Sequence, residues 1–590
     1  MRITKFLTGI VIGVVLSSGS AVAGPVDDCT AAYKGRAYAK ALRLCRPLAE
    51  QGNATAQNTL GIMYMQGQGV SWDYSEAVNW FRKAADGGDA YGQCNLGVMY
   101  MQGHGVAQDY GEATTWFRKA AERGNALAES NLGVMYMQGH GVTQDYAEAV
   151  TWFRKAAERG DAFAESNLGA MYEHGLGVAQ DYVEAMTWIR KAADQGFAGA
   201  EYNLGIIYEQ GRGVAQDYAE AVKWYRKAAD QGDADAQYNL GVTYERGKGV
   251  AQDYAEAVKW YRKAADQDYV LAKSNLGFMY MQGHGVAQDY AEAMTWIRKA
   301  ADQGHATAQN NLGTMYLQGL GVAQDYAEAV TWFRKAAYWG NSLAQSNLGV
   351  MYEHGLGVAR DYAQAMIWYR KAADQGHATA QTNLGAMYAH ALGVARDYAQ
   401  AMIWYRKAAE QGWAAGQYNL GVMYDRGQGV AQDHSEAVKW YRKAADQGYA
   451  LAQYGLGVMF SQGQGVARDY AEAVMWYRRA ADQGYPSAQY SLGVMYGGGQ
   501  GVARDYAEAV KWYRKAADQG NADAEYSLGF MYAQGLGVAR DKSFAHMWLS
   551  LAAAQGLNAA GSARDQLAAD MTPDQIAQAE RLARQWKPTR

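Results

Sequence analysis

The sequence has few cysteines and prolines, and it carries no strong charge of either sign. Its 590 residues include three Cys and five Pro, and the formal net charge is -4. The near balance of charge argues against an electrostatic attraction to nucleic acid. Outside the first 23 residues, no apolar run reaches the length that a bilayer span requires. We therefore expect no nucleic-acid binding and no membrane-spanning segment.

The usual signatures of catalysis and of metal binding are also missing. The sequence contains no His-Glu-x-x-His, no Gly-x-Ser-x-Gly, no phosphate-binding loop and no Cys pair with zinc spacing. Its ten His are spread over different parts of the chain, in positions that otherwise hold Gln, Leu or Arg. We therefore predict no catalytic residue, no metal site and no cofactor.

The first 23 residues have the three-part layout of a secretory signal peptide. Arg2 and Lys5 precede an apolar run over residues 6–16, and a stretch of small residues ends at Ala23. This layout predicts cleavage after Ala23. The mature protein is then expected to be periplasmic or secreted.

Two of the three cysteines lie close together in sequence, on either side of a predicted turn near Gly35. Cys29 and Cys45 are nearly equidistant from that turn, so they would face each other on two antiparallel helices. In an oxidising compartment this arrangement predicts a Cys29–Cys45 disulfide that closes the first hairpin. Cys94 is left over, and it replaces a residue that is Ser or Tyr in other copies of a repeat.

That repeat is the dominant feature of the chain. Its period is 36 residues, and each copy carries a Leu-Gly pair that a Trp follows 20 residues after the Leu. A period of this length indicates a solenoid, in which units that cannot bury their apolar faces alone stack on one another. The fourteen leucines are Leu60, Leu96, Leu132, Leu168, Leu204, Leu240, Leu276, Leu312, Leu348, Leu384, Leu420, Leu456, Leu492 and Leu528.

Each copy predicts two helices and two glycine-bearing loops. In one example, Asp217 and Glu220 have the spacing of a capping box, and Gly232 supplies a residue that ends the helix in the left-handed conformation. The next helix presents Leu240 to the core, and Gly241 allows another helix to approach closely. Two copies depart from this pattern, because Asp268 and Ala391 replace loop glycines. Each substitution either creates a flexible joint in the superhelix or is simply tolerated, and we favour the second interpretation.

The repeat reads Ala-x-x-x-Leu-Gly-x-x-Tyr-x-x-Gly-x-Gly-Val-x-x-Asp-x-x-x-Ala-x-x-Trp, followed by Lys-Ala-Ala and Gly. This pattern resembles the Sel-1-like repeat, a relative of the tetratricopeptide repeat. The resemblance implies an all-α fold, a right-handed superhelix of fourteen antiparallel helix pairs. It also implies an adaptor for protein complexes, often in bacterial export compartments or in contact with a host.

We divide the chain into four parts and expect a monomer. Residues 1–23 are the signal peptide, 24–52 an N-terminal capping hairpin, 53–556 the fourteen repeats and 557–590 C-terminal capping helices. Thr572, Pro573 and Gln575 have the pattern of a capped helix start in the last part.

Candidate binding residues come from the first helix of each repeat. The positions two before, two after and five after the repeat Leu are predicted to face away from the core, and their residues vary between copies. If first helices line the concave side, as the resemblance implies, this face binds protein or peptide partners. The alternative for any single residue is sequence drift on a solvated surface, and we favour binding for the face as a whole. The candidates are Tyr202, Tyr238, Tyr418, Tyr454, Tyr490, Tyr526, Met65, Met101, Met137, Glu173, Glu209 and Glu245.

A second aromatic set stands at the start of several first helices. It comprises Phe197, Tyr269, Trp413, Tyr449 and Tyr485, with Tyr338 and Trp339 nearby in phase. These side chains form either an exposed ridge or, as we favour, the filling of gaps between loops.

The sequence predicts an exported, non-catalytic scaffold as its first interpretation. A cysteine-rich branch of the family binds or hydrolyses β-lactams, but that branch has a Cys pair in every repeat, which this chain lacks. A third interpretation is a modulator of cell-envelope enzymes or of host interaction.

Overall fold

A computed structural model describes residues 24–588, so the predicted signal peptide lies outside the described residues. The described chain is all-helical, with no strand, and its paired helices stack in sequence as a solenoid. It divides into two compact units, one up to Gln303 and the other from Gly304 onward. No helix among residues 24–588 is both long and apolar enough to cross a membrane.

The first unit contains sixteen described helices. They are α1 Pro25–Lys34, α2 Tyr38–Glu50, α3 Ala54–Gln66, α4 Tyr74–Asp86, α5 Ala90–Gln102, α6 Tyr110–Glu122, α7 Ala126–Gln138, α8 Tyr146–Glu158, α9 Ala162–His174, α10 Tyr182–Asp194, α11 Ala198–Gln210, α12 Tyr218–Asp230, α13 Ala234–Arg246, α14 Tyr254–Asp266, α15 Val270–Gln282 and α16 Tyr290–Asp302.

The second unit contains sixteen more within its described residues. They are α17 Ala306–Gln318, α18 Tyr326–Tyr338, α19 Ser342–His354, α20 Tyr362–Asp374, α21 Ala378–His390, α22 Tyr398–Glu410, α23 Ala414–Arg426, α24 His434–Asp446, α25 Ala450–Gln462, α26 Tyr470–Asp482, α27 Pro486–Gly498, α28 Tyr506–Ala517, α29 Ala522–Gln534, α30 Lys542–Ala554, α31 Asn558–Ala568 and α32 Pro573–Gln585.

Local sequence signals define the helix ends, although the capping box predicted for Asp217 and Glu220 forms only in part. The Asp217 N–H donates to the Tyr208 carbonyl, and the Glu220 carboxylate pairs with Lys223. The Asp217 carboxylate accepts hydrogen bonds from the backbone N–H groups of Ala219 and Glu220, and this caps α12. Gly232 follows that helix with a φ of +96°, the left-handed conformation that glycine adopts without steric cost. Odd-numbered helices from α3 to α29 are the first helices of their repeats, and even-numbered helices from α4 to α30 are the second.

Packing within a repeat depends on the Leu-Gly pair. Leu240 is fully buried, and a Cβ built on Gly241 would lie 2.6 Å from the Tyr261 ring. Only glycine therefore allows the first helix to approach the second this closely. The glycine that the sequence singled out for close approach has that role in the structure.

Polar side chains join one repeat to the next. An arginine of the second helix donates to the repeat tyrosine of the following first helix, as from Arg118 Nη2 to Tyr136 Oη over 2.8 Å. Glutamines add a second connection, such as that from Gln231 Nε2 to the Gly196 carbonyl oxygen over 3.0 Å. Both bonds join adjacent repeats, so each unit is a chain of nearest-neighbour interfaces.

The two ends of the described chain differ from the repeats. Cys29 and Cys45 form the predicted disulfide between α1 and α2. At the other end, Thr572 and Gln575 form the predicted capping box at the start of α32. The Trp586 ring then packs edge-on against Trp548, with ring centroids 5.7 Å apart.

Reduction of the disulfide is expected to loosen the first hairpin alone. Closing a loop of this size contributes about 3 kcal/mol by restricting the unfolded chain. Amide hydrogen exchange in α1 and α2 should therefore rise about a hundredfold in reductant, while exchange in α9 stays unchanged. A Cys29→Ala/Cys45→Ala variant serves as the control and should show no response to reductant. Equal exchange with and without reductant in the wild type would contradict this prediction.

The two departures from the glycine pattern keep the left-handed backbone. Asp268 has a φ of +68° and Ala391 a φ of +58°. Asp268 also forms an ion pair with Lys273, which stands where other repeats have Gln or Glu, and it accepts a hydrogen bond of 2.9 Å from Gln303 Nε2. These contacts offset the cost of the substitution, which supports the interpretation that it is tolerated.

Candidate functional site

The candidate surface, here called the first-helix face, comprises the positions two before, two after and five after the repeat Leu. The sequence predicted that these positions face away from the core. Four candidates contradict this, because Met101, Met137, Glu173 and Tyr202 are buried. They are covered because side chains of the neighbouring elements pack over them. The partner-binding role expected of these four is therefore not supported, and the accessible candidates lie elsewhere on the face.

The tyrosines two residues before the repeat Leu form a ladder with tyrosines of other elements. The Tyr418 ring lies 5.7 Å from Tyr441 of the second helix and 5.5 Å from Tyr449 of the next repeat. Tyr454 contacts Tyr477 and Tyr485 in the same way. Unlike Tyr202, the candidates Tyr238, Tyr418, Tyr454, Tyr490 and Tyr526 remain partly exposed.

This ladder also explains much of the second aromatic set. Tyr269, Tyr449 and Tyr485 are partly buried and pack against the ladder tyrosine of the preceding repeat. Their gap-filling role agrees with the interpretation that the sequence favoured. Tyr338 and Trp339 differ, because they form an exposed edge-to-face pair at the end of α18.

The position five after the Leu is coupled to the second helix of the same repeat. Where that position is Glu, a second-helix tyrosine donates to its carboxylate. The Tyr225 hydroxyl donates to Glu209 over 2.6 Å, and Tyr261 donates in the same way to Glu245. The pairing recurs in the second unit, where the Tyr369 hydroxyl donates to Glu353 over 2.6 Å.

Where the second helix has Phe instead of Tyr, the same position is apolar. Met65 packs on the cluster that contains Phe81. Met101 and Met137 are buried in the clusters of Phe117 and Phe153, and Leu317 and Phe333 have the same spacing in sequence. The change from Met to Glu at this position along the chain therefore follows the residue of the second helix that it contacts.

Glu173 is an exception with its own explanation. Its second-helix counterpart is Ile189, which offers no hydrogen bond. The buried Glu173 carboxylate instead forms an ion pair of 2.5 Å with Arg212, which lies in the loop after α11 in the next repeat. Glu173 thus joins two repeats rather than facing a partner protein.

Two repeats in the second unit leave this pairing incomplete. Ala389 stands opposite Tyr405, and Gly497 stands opposite Tyr513. Neither small side chain can accept a hydrogen bond, and no hydrogen-bond partner of either tyrosine hydroxyl is found among residues 24–588. The neighbouring repeats show the contrast, because Tyr441 reaches Asp425 at 3.4 Å and Tyr477 reaches Ser461 at 3.1 Å.

The first-helix face opens into two adjoining cavities at the last repeats. The larger has a volume of about 520 Å³ between α27, α28 and α29, and the smaller about 320 Å³ between α25, α26 and α27. Both are lined by Val494, which is partly exposed, and Phe530 of the larger cavity is 50% exposed. The accessible candidates Tyr490 and Tyr526 line the smaller and the larger cavity, respectively.

Glu525 lies near this surface but is fully buried. One carboxylate oxygen accepts a hydrogen bond of 2.9 Å from Gln555, and the other has no partner among residues 24–588. Burial raises the pKa of Glu525 to about 7, and the Gln555 bond only partly opposes this. In other repeats a Gln at this position both accepts and donates, as Gln489 does with Gln519 and the Ala481 carbonyl.

A Glu525→Gln substitution is expected to stabilise the last repeats above neutral pH. A carboxyl whose pKa is raised in the folded state binds its proton more tightly there, so the free energy of unfolding falls as the pH rises from about 4.5 to 7. The variant lacks this penalty, so its advantage should be near zero at pH 4 and on the order of 2 kcal/mol at pH 8. Hydrogen exchange in α29, compared with the wild type at each pH, measures the difference.

Glu129→Gln is the matched control for this experiment. Glu129 occupies the same repeat position, and burial raises its pKa, but Arg159 partly opposes that shift across 3.1 Å. Because Arg159 stabilises the ionised form, Glu129→Gln should gain less stability with rising pH than Glu525→Gln. An advantage of Glu525→Gln that does not change with pH would contradict the assigned cause.

The residues described offer no evident catalytic group. Cys94 is fully buried, and burial raises the pKa of its thiol to about 12, so it remains a protonated and inaccessible thiol at neutral pH. Among residues 24–588 no group of three or more His, Cys, Asp or Glu side chains is arranged to hold a metal ion.

Comparison with known proteins defines the class. Helix pairs that repeat every 36 residues and contact their neighbours are those of an α-helical repeat solenoid. The family model for the Sel1 repeat matches fourteen consecutive segments that together cover residues 54–557. The chain belongs to the Sel1 repeat family.

A solved structure agrees with this assignment. A protective antigen of uropathogenic Escherichia coli strains, described as displaying an SLR fold, is 42% identical to the chain, with a TM-score of 0.61. That match covers 74% of this chain and 94% of the antigen. A Sel1 repeat protein from Oxalobacter formigenes is 38% identical and has a TM-score of 0.42; the match covers 55% of this chain and 93% of that one. No curated protein matches the sequence.

Proposed function

We propose that this protein is an exported, non-catalytic scaffold that binds protein or peptide partners on the first-helix face of its last repeats. The observation that carries the proposal is the continuous surface around the two adjoining cavities. Exposed apolar side chains and partly exposed tyrosines meet there, and surfaces of this composition suit protein recognition. The disulfide between Cys29 and Cys45 supports export, because such bonds persist in oxidising compartments.

The proposal narrows the binding surface that the sequence suggested. Tyr202, Met101, Met137 and Glu173 are buried, and Glu209 and Glu245 bond to tyrosines of their own repeats. The surface near α25, α27 and α29 keeps its side chains accessible, and it includes the candidates Tyr490 and Tyr526.

Affinity capture with crosslinked protein of residues 24–590 from envelope extract tests this function. The test variant is Val494→Asp/Phe530→Asp, which places charge on two exposed apolar side chains of the surface. The control variant is Ile367→Asp/Ile403→Asp, which makes the same change at side chains that are each 46% exposed on second helices. A partner held by the wild type and the control but lost by the test variant is expected. Equal capture by all three proteins would refute the proposed surface.

A further inference from the structure

The Tyr513 hydroxyl lacks the hydrogen-bond partner that most of the other repeats with a tyrosine at this position have. The Tyr513 side chain is only 7% exposed, and no hydrogen bond from its hydroxyl is found among residues 24–588. Its counterparts Tyr225 and Tyr369 each donate to a Glu carboxylate at 2.6 Å. The Tyr513 hydroxyl therefore lacks this internal hydrogen bond, and its side chain borders an open cavity where it can donate to solvent or to a ligand.

The acceptor is missing because its position is glycine. A Cβ built on Gly497 would lie 3.6 Å from the Tyr513 hydroxyl oxygen, an ordinary contact, so a longer side chain would have room there. Gly497 and Gly498 both lie within α27, where each costs about 1 kcal/mol relative to alanine. The helix needs only Gly499 to end, since that residue has the left-handed φ of +67°.

The space that the two glycines leave is part of the cavity of about 520 Å³. Gly497, Gly498 and Tyr513 line it, together with the exposed Phe530. Its other lining residues are uncharged, among them Tyr526 and Ser527. The cavity thus combines one hydroxyl donor that has no protein partner, on a side chain that is otherwise buried, with an apolar wall that is open to a partner.

We propose that this cavity receives a glutamate side chain of a bound peptide, whose carboxylate accepts the hydrogen bond of Tyr513. This inference rests on the proposed function and names the chemistry of the partner. The chain itself supplies the template, because Glu209, Glu245 and Glu353 fill the equivalent space in their own repeats and bond to the equivalent tyrosine. The partner's glutamate takes the place of the side chain that Gly497 lacks.

The chain's own pairs favour Glu over Asp as the partner residue. From the same position, Glu353 lies 2.6 Å from its tyrosine hydroxyl, whereas the shorter Asp425, which also pairs with His434 over 2.9 Å, lies 3.4 Å from its tyrosine. Because the lining has no cation, recognition comes from a charge-assisted hydrogen bond rather than from an ion pair. Burial raises the pKa of Tyr513, so its hydroxyl remains a donor across the neutral range.

Two substitutions separate the donor from the space. Tyr513→Phe removes the hydroxyl and leaves the cavity. Gly497→Glu fills the cavity with the chain's own carboxylate and restores the internal pair that Glu353 and Tyr369 form. Gly497→Glu also replaces a helical glycine with a better helix former, so we expect this variant to fold at least as stably as the wild type.

The experiment uses an array of 15-residue peptides with Glu, Gln or Asp fixed at the centre and randomised flanks, probed with the protein of residues 24–590. The strongest binder is then titrated by fluorescence polarisation. We expect Glu-centred peptides to dominate, Tyr513→Phe to weaken binding at least tenfold, and Gly497→Glu to abolish it. Tyr405→Phe is the control, because it removes a similarly buried, unpaired hydroxyl beside Ala389, and it should leave the affinity unchanged.

Three results would overturn the inference. They are the absence of any peptide that binds, the lack of a preference for Glu over Gln, and wild-type affinity in both Tyr513→Phe and Gly497→Glu. The inference and the proposed function fail separately. If Gly497→Glu still captures the envelope partner that Val494→Asp/Phe530→Asp loses, the scaffold function stands and the glutamate site does not. If all of these variants capture it equally, the proposed function fails as well.

Discussion

Substitution of Gly249 by alanine should destabilise the interface between two repeats by about 2–4 kcal/mol. Gly249 has a φ of +74°, which costs an L-residue about 1 kcal/mol or more. A Cβ there would also lie 2.2 Å from the Tyr218 carbonyl oxygen at the start of α12, so the loop or the helix must move. Forced overpacking of this kind typically costs a further 1–3 kcal/mol. Hydrogen exchange in α12 and α13 measures the loss.

Gly232→Ala is the matched control. Gly232 also has a left-handed φ, of +96°, but a Cβ built on it meets no atom within 4 Å. Its replacement should therefore cost only the backbone term, about 1 kcal/mol. The chain already tolerates Asp268 and Ala391 in this region of φ. Equal losses in the two variants would show that backbone conformation, rather than close approach, determines the requirement for glycine in the loop.

Truncation of a repeat leucine should have a similarly large effect. Leu348 is fully buried in α19, so Leu348→Ala leaves a cavity and should cost about 3–5 kcal/mol. Leu343 lies in the same helix but is 47% exposed, so Leu343→Ala should change stability by about 0.5 kcal/mol or less. Chemical denaturation followed by hydrogen exchange in α19 and α20 measures both. Losses of similar size would contradict the assignment of Leu348 to the core.

The repeat sequence predicted the helices, their ends and the disulfide because those features depend on residues close in sequence. Asp217 and Gly232 act within their own helix, and Cys29 and Cys45 face each other across one turn. The left-handed conformation of Asp268 followed from its alignment with glycines in other copies. Such local signals recur in every repeat, and this is why the fold class could be predicted without a structure.

The burial of the first-helix face could not be predicted in the same way. A helical projection places Met101 and Tyr202 away from the Leu side, but it does not show which neighbouring side chains pack over that face. Coupling between positions was also missed, although a signal was present in the sequence. Repeats with Phe at the second-helix position have Met or Leu five residues after the repeat Leu, whereas three repeats with Tyr there have Glu. Each position was interpreted separately, so this relation was not recognised.

The same pairing between first-helix and second-helix positions identifies the repeats that depart from it. Where Gly497 interrupts it, the structure has an unpaired hydroxyl and a cavity rather than an internal contact. Repeat proteins are stabilised by similar interfaces between all neighbouring repeats. The repeat that contains Gly497 lacks an internal hydrogen bond and has two glycines in its first helix, and both features reduce the stability of the fold. Such a local cost is characteristic of a binding site.

Site-specific photocrosslinking in cells tests the central claim, that partners bind at the first-helix face of the last repeats. A photoreactive phenylalanine analogue replaces Phe530 in one protein and Ile367 in the other, since both side chains are about half exposed. The account predicts a discrete adduct with a partner protein from position 530 and none from position 367. An adduct from position 367 alone would contradict the account and place the binding surface on the second helices.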